Sequence, residues 1–201
     1  MVQSDEWKLS GYIENAHVGQ VCCVASQQNQ MYTTSSKSLK IWDLESLQAI
    51  SDINAHSTFI KAIAIWEDKG ILATASEKTI LLWDSVALTN IQVLKGHKDE
   101  IRCACVIGNY LISAGGGQHS SALLIWDLRT MTCIEEREKG KDVFSLLPLT
   151  NDQFLFGARN HYLQLSSIKD AEDGGRFEPP HYDTVTAIGL LGDSIVSGCR
   201  D

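Results

Sequence analysis

The chain has 201 residues, 44% of them hydrophobic, and a formal net charge of −8. This length and composition allow a sizeable folded core. The acidic balance argues against binding to nucleic acid or to an anionic membrane, because both depend on clusters of Lys and Arg. No apolar run approaches the roughly 18 residues of a membrane-spanning helix. The first 20 residues do not resemble a secretion signal, so we expect a cytoplasmic protein.

A Trp-Asp dipeptide ends three apolar runs, and its tryptophans are Trp42, Trp83 and Trp126. Their separations, 41 and 43 residues, are typical of repeated four-stranded units. Such a unit cannot bury its own sheet and needs a neighbour on each side. The sequence therefore predicts an array in which repetition sets the fold and the surface sets the function.

In chain order, the landmarks predict five units: approximately 16–54, 55–95, 96–138, 139–176 and an incomplete 177–201. In each unit a first strand is followed by a second strand, a tight turn and a third strand. The predicted first strands are 21–24, 60–65, 101–106, 143–147 and 185–188, and the second strands are 31–34, 71–75, 110–113, 154–156 and 194–198. We expect little helix, and a long polar loop over 168–180.

Two units depart from the pattern. The fourth has Ser166 where the spacing from Trp126 predicts a tryptophan, so the register holds without the Trp-Asp pair. In the third, the turn over 115–121 contains three consecutive glycines and predicts a flexible loop.

The charged run over 135–139 predicts a solvated edge strand. Trp66 is either a half-exposed interface anchor or a residue buried under the neighbouring unit.

These residues resemble the WD-repeat β-propeller family, from about residue 16 onwards. The resemblance implies an all-β, WD40-type β-propeller of about four and a half blades, a fragment or an incomplete propeller. In that family a His, a Ser or Thr, an Asp and the Trp of one unit form a buried network. The resemblance assigns such structural roles to His17, Trp42, His56, Trp83, His97, Trp126, His181 and Asp201. Because the first turn lacks an acid and Glu77 replaces Asp in the second, we expect weak polar cross-linking.

A narrower resemblance lies near the end of the chain. Residues 177–183, Phe-Glu-Pro-Pro-His-Tyr-Asp, and residues 197–201, Ser-Gly-Cys-Arg-Asp, are similar to the tail propeller of kinesins that end in WD repeats. This resemblance implies a propeller on a microtubule motor that faces tubulin or motor cargo, and a cytoskeletal association. The alternative is a substrate receptor or scaffold of a ubiquitin ligase, because Trp126-Asp127-Leu128-Arg129 resembles the adaptor-binding box of such receptors.

The sequence contains no catalytic constellation. It has no phosphate-binding Gly-rich loop, no nucleophile elbow and no pair of His residues on a metalloprotease spacing. The six cysteines include no Cys-x-x-Cys pair, and the alternation of Cys103 and Cys105 in an apolar segment predicts that both are small buried apolar residues. We therefore predict a non-enzymatic protein-interaction scaffold without metal or cofactor.

Partner binding is expected on loops held by the rigid sheets. The loops before each first strand and the turns within each unit should share one end of the propeller. The candidate contact residues are Lys37, Phe59, Lys78, Lys98, Asp99, His119, Arg129, Arg159, His161, Tyr182 and Arg200. An incomplete fifth unit would also leave bare strand edges, which predicts self-association.

Overall fold

The computed structural model describes residues 11–118, 122–139, 142–170 and 174–200. His119 and Asp201 lie outside this part of the chain. The described residues form eighteen strands and one short 3-10 helix, Glu67–Lys69, which confirms the predicted all-β class. Among them, no helix has the length and apolar character needed to cross a bilayer.

The strands form five antiparallel sheets, here called blades 1 to 5, that follow one another along the chain. Each sheet is a simple meander, so every strand pairs with the next strand in sequence. Blade 1 contains β1 (Cys23–Gln27), β2 (Gln30–Ser35), β3 (Ser38–Asp43) and β4 (Ala49–Asn54); blade 2 contains β5 (Ile60–Trp66), β6 (Ile71–Ser76), β7 (Thr79–Asp84) and β8 (Asn90–Lys95); blade 3 contains β9 (Ile101–Ile107), β10 (Tyr110–Gly115), β11 (Ala122–Asp127) and β12 (Thr132–Glu138); blade 4 contains β13 (Val143–Pro148), β14 (Gln153–Ala158), β15 (Leu163–Ser167) and β16 (Gly175–Arg176); blade 5 contains β17 (Val185–Leu191) and β18 (Ser194–Cys199).

The first strand of each blade is its inner strand. β1 contacts β5, β5 contacts β9, β9 contacts β13 and β13 contacts β17, so each inner strand lies against that of the next blade as far as blade 5. Residues from all five line one cavity of about 480 Å³, which is the axial channel of the propeller. The blades therefore surround a common axis, as the repeat predicts.

The core lies between the blades, because each sheet buries one side chain in two against its neighbour. Blade 2 presents Ala64, Trp66 and Leu82 to Leu111 and Trp126 of blade 3, and all five are buried. Small residues near the axis let the sheets approach closely, and large ones fill the wider space further out. Trp66 is 5% exposed, so the structure takes the buried alternative for this residue.

Three local expectations differ from the structure. The first strand begins at Cys23 rather than at residue 21, and Val21 is 42% exposed. The predicted polar loop over 168–180 contains the short strand β16, which pairs with β15. In the glycine-rich turn, Gly115 and Gly116 are buried and closely packed, whereas Gly117 and Gln118 are exposed. A Cβ on Gly115 would lie 1.9 Å from the carbonyl oxygen of Glu100.

The far side of blade 5 is bare. Leu191 is 68% exposed and Val196 is 50% exposed. The same positions of blade 3 hold Ile107 and Ile112, which are buried against blade 4. The exposed pair is therefore an apolar blade-packing surface without a neighbouring blade in this structure.

Candidate interaction surface

The tight turns between second and third strands contact the segments that lead into the next blade. The carbonyl of Lys37 accepts hydrogen bonds from the backbone N–H groups of Ala55 (3.0 Å) and His56 (3.3 Å). In the next blade the carbonyl of Glu77 accepts one from Ile101 at 2.6 Å. These turns and segments therefore form one continuous surface at one end of the propeller, here called the loop face.

Most of the sequence-predicted contact residues belong to the loop face. Phe59 is 60% exposed and Tyr182 is 90% exposed, and the Lys98 ammonium lies 2.7 Å from Glu136 Oε1. The loop-face members of the predicted set are Lys37, Phe59, Lys78, Lys98, Asp99, Arg159, His161, Tyr182 and Arg200. Arg129 lies elsewhere, in the turn between β11 and β12 at the opposite end.

A chain of charged residues crosses the loop face beside the axial channel. Lys61 Nζ lies 2.7 Å from Glu100 Oε1, and Glu100 Oε2 lies 3.8 Å from Arg102 Nε. Asp142 Oδ2 lies 3.6 Å from both Arg102 Nη2 and Arg159 Nη1. The chain thus places three cations against two carboxylates, and three of its four contacts are long ion pairs.

Arg102 lies at the centre of this arrangement. Its guanidinium stacks over the ring of Phe144, with 4.4 Å between the guanidinium carbon and the ring centroid. Its Nη2 donates a 3.4 Å hydrogen bond to the carbonyl of Gly116, and its Nε has no hydrogen-bond partner in the described part of the chain. Arg102 and Phe144 border a cavity of about 450 Å³ at the channel mouth, which is also lined by Lys61 and Cys22.

The channel-mouth residues are absent from the set of contact residues predicted from the sequence. Lys61, Arg102 and Phe144 each follow the first residue of an inner strand, 41 or 42 positions apart. In the sequence they look like single polar or aromatic interruptions of unrelated strands. The repeat register was the signal that could have found them, because equivalent positions on inner strands converge at the axis.

A His–hydroxyl–Trp link joins the second and third strands of the first three blades. In blade 3, Trp126 Nε1 donates to Ser113 Oγ at 2.8 Å, and the same hydroxyl lies 2.7 Å from His97 Nε2. Blades 1 and 2 contain the same link through Thr33 and Thr74. The hydroxyl satisfies both buried rings without an acidic residue, so the link does not need the acid missing from these turns.

Burial governs the titration of these groups. It lowers the pKa of His97 to about 4, and it also lowers the pKa values of His17 and His56. Burial raises the pKa of Cys105 to about 12. At neutral pH the three histidines are therefore uncharged and Cys105 is a thiol rather than a nucleophilic thiolate. Across the described residues, no group of three His, Cys, Asp or Glu side chains could hold a metal ion.

Blade 4 replaces the missing tryptophan with an arginine from blade 3. Arg137 occupies the outer-strand position that Leu94 holds in blade 2. Its side chain is 6% exposed, and it donates to the carbonyls of Ser167 (2.6 Å) and Ile168 (3.0 Å) in blade 4. The hydroxyl of Ser166 lies 3.4 Å from its Nη1. The prediction of a solvated charged strand is therefore wrong for Arg137, because the small Ser166 leaves room for the guanidinium.

The aspartates of the Trp-Asp pairs stabilise turns at the opposite end of the propeller. Asp84 Oδ1 accepts hydrogen bonds from the backbone of Val86 and Ala87. Asp127 also binds Arg129 through both carboxylate oxygens, at 3.0 and 2.5 Å. This pairing lowers the pKa of Asp127 to about 2. The Arg129 side chain is 57% exposed but has its own partner within the chain.

Comparison with known proteins agrees with the architecture. The family described as "WD domain, G-beta repeat" matches residues 9–43 and 47–84. Two solved structures, titled "Structure of U3-55K" and "Crystal structure of RRP9 WD40 repeats", each superpose with a TM-score of 0.82 at 19% sequence identity. The superpositions cover 91% and 90% of this chain and 59% and 58% of those chains. These structures establish the fold as a WD40 propeller that is incomplete in this chain.

The curated relatives are kinesin-like proteins. The human Kinesin-like protein KIF21A is 24% identical over 231 residues, which cover 94% of this chain. The mouse Kinesin-like protein KIF21B is 23% identical over 223 residues, which cover 92% of this chain. The matched region is 13% of the length of each relative.

Proposed function

We propose, from the premise that this chain is a WD-repeat β-propeller protein, that it is a non-catalytic scaffold that binds other proteins through the loop face. The observation that carries this proposal is the continuous loop face itself, where exposed aromatic and charged side chains stand on turns fixed by hydrogen bonds between blades. Rigid presentation reduces the ordering cost of binding, and exposed aromatic side chains are typical interface anchors.

The kinesin-like relatives give the proposal a finer form. We infer that the chain serves as a cargo-facing or microtubule-facing propeller of a kinesin-like protein. The supporting observations are the relatives' names and the alignment over more than nine tenths of this chain. A microtubule partner also agrees with the cytoskeletal association expected from the sequence.

The test compares a triple charge reversal on the loop face with a single charge reversal at the opposite end. In the loop-face variant, Lys37→Glu, Lys78→Glu and Lys98→Glu are combined. The control variant, Lys69→Glu, changes an exposed lysine in the turn between β5 and β6, at the opposite end. Each protein is sedimented with purified microtubules and used to capture proteins from a cell extract.

We expect the wild type and the control to bind the same partner, either microtubules or a captured protein, and the loop-face variant to lose it. Binding that survives the triple reversal would reject the loop face as the interaction surface. A wild-type protein that neither sediments with microtubules nor captures any protein would reject the scaffold proposal.

A ubiquitin-ligase role depends on Arg129. The supporting observation is that its side chain is 57% exposed in a turn outside the loop face, where a second partner could reach it. The salt bridge to Asp127 must open before Arg129 can contact an adaptor. Copurification with a cullin adaptor that is lost in Arg129→Ala would support this role, and copurification unchanged by that substitution would reject it.

A further inference from the structure

The mouth of the axial channel is locally cationic in an acidic protein. Lys61, Arg102 and Arg159 outnumber Glu100 and Asp142 there, although the whole chain has a net charge of −8. The side chains of Lys61 and Arg159 are 43% and 60% exposed, so solvent and partners can reach them. A cationic opening in an acidic surface attracts negatively charged groups to that place specifically.

The channel below the mouth is lined by apolar side chains together with the hydroxyl-bearing Ser145 and Thr186. Its lining includes Val24, Ile63, Ala104, Leu146 and Ile188, one from each inner strand. Each of these five residues lies two positions after the channel-mouth position of its own strand, as Ile63 follows Lys61 and Ala104 follows Arg102. The cavity of about 480 Å³ is large enough for one apolar side chain but not for a folded domain.

The opposite end of the propeller carries several carboxylates beside Lys69 and Lys169. A smaller cavity there, about 220 Å³, is bordered by Glu67 and Asp68. Other acidic residues at that end include Asp152 and Asp193, in the turns that join the first two strands of blades 4 and 5. An acidic partner is therefore attracted more strongly to the channel mouth than to this end.

From this arrangement we infer that the channel mouth binds an acidic peptide segment of a partner protein, in which one apolar side chain is flanked by carboxylates. The apolar side chain enters the channel, and the flanking carboxylates contact Lys61 and Arg102. The Arg102 side chain is 22% exposed and its ion pairs are 3.6 and 3.8 Å long, so a carboxylate that approaches more closely can compete for its guanidinium. The inference rests on the proposed scaffold function and names the chemistry of its partner.

The test uses peptides as defined probes. Binding of a fluorescein-labelled oligoglutamate peptide with one central leucine is measured by fluorescence anisotropy at low and at high salt. Two control peptides replace the leucine with serine, or every glutamate with lysine. The protein variants are Lys61→Glu and Arg102→Ala, and the matched control for the charge reversal is Lys95→Glu, at an exposed position on outer strand β8.

We expect the leucine-centred acidic peptide to bind more tightly than either control peptide, and its affinity to fall as salt rises. Lys61→Glu should weaken binding by about tenfold or more, and Lys95→Glu should leave it nearly unchanged. Because Lys61 is largely exposed, its substitution tests the site even if Arg102→Ala does not fold.

Equal binding of the lysine peptide, no binding of the acidic peptide, or unchanged affinity in Lys61→Glu would each overturn the inference. The proposed scaffold function is judged separately by the partner-capture experiment with the loop-face variant. Partner capture that persists while the peptide result is negative would reject only the acidic-segment inference.

Discussion

The hydroxyl of Ser113 should be among the most important polar groups for stability. It is fully buried and bonds both the Trp126 indole N–H and His97 Nε2. In Ser113→Ala both ring nitrogens lose this partner inside the interface between blades 2 and 3. A buried polar group left without a partner costs about 1–3 kcal/mol, so two such groups predict a loss of about 2–6 kcal/mol.

Two matched substitutions separate the hydroxyl from its surroundings. Ser113→Thr restores the hydroxyl with the side chain that blades 1 and 2 use at this position, Thr33 and Thr74, and should remain close to the wild type. Ser197→Ala in blade 5 removes a hydroxyl that bonds His181 at 2.8 Å where both residues are only half-buried. Water can replace that bond, so we expect a cost below about 1 kcal/mol.

The free energy of unfolding is measured by urea titration, followed by circular dichroism. The expected order of stability is wild type, Ser113→Thr, Ser197→Ala and then Ser113→Ala. If Ser113→Ala is no less stable than Ser197→Ala, the buried link does not stabilise the blades as argued.

Four further predictions concern stability and association. The pKa of His97 is about 4 in the folded chain and 6.5 in the unfolded chain, so the unfolded chain binds this proton first as the pH falls. The contribution of His97 to the free energy of unfolding should be complete above pH 6.5 and should fall by up to about 3 kcal/mol by pH 4. A urea midpoint that does not change over this range would contradict this prediction. Arg137→Leu should lower the free energy of unfolding by urea by about 2–4 kcal/mol. Adding Ser166→Trp to this variant should recover part of the loss by restoring a Leu–Trp pair. No recovery would contradict the interpretation that Arg137 takes the place of the missing tryptophan. Gly115→Ala should lower the thermal midpoint, because its Cβ would lie 1.9 Å from a backbone carbonyl oxygen. Gly189→Ala should not, because the space around Gly189 is open. Equal midpoints for the two variants would contradict the close packing of Gly115. The bare apolar face of blade 5 should cause concentration-dependent association, and light scattering from a monomer at every concentration would contradict it.

The fold could be predicted largely from the spacing of Trp42, Trp83 and Trp126. A residue at a fixed position in each unit fixes the third strand, and the hydrophobic alternation then fixes the strands around it. The register survives in blade 4, where Ser166 pairs with Phe154 as Trp126 pairs with Leu111. The end of an individual strand, such as the start at Cys23, depends on pairing geometry that spacing does not determine.

The candidate site was harder to predict, because its residues come together only when the blades surround an axis. Lys61 and Arg102 are separated by 40 intervening residues, and neither belongs to a recognisable motif. Arg137 was missed for a related reason. A charged residue on an outer strand is normally solvated, and its burial depends on the small side chain of Ser166 in another blade.

The position of the bound partner on the propeller decides whether the loop face is the interaction surface. Hydrogen–deuterium exchange of the chain, alone and in complex with the partner found in the capture experiment, reports which backbone segments become protected. We expect protection in the loop-face segments 16–22, 56–61, 97–102 and 159–162. Protection confined to 44–48, 85–89 and 128–131, the turns at the opposite end, would contradict it.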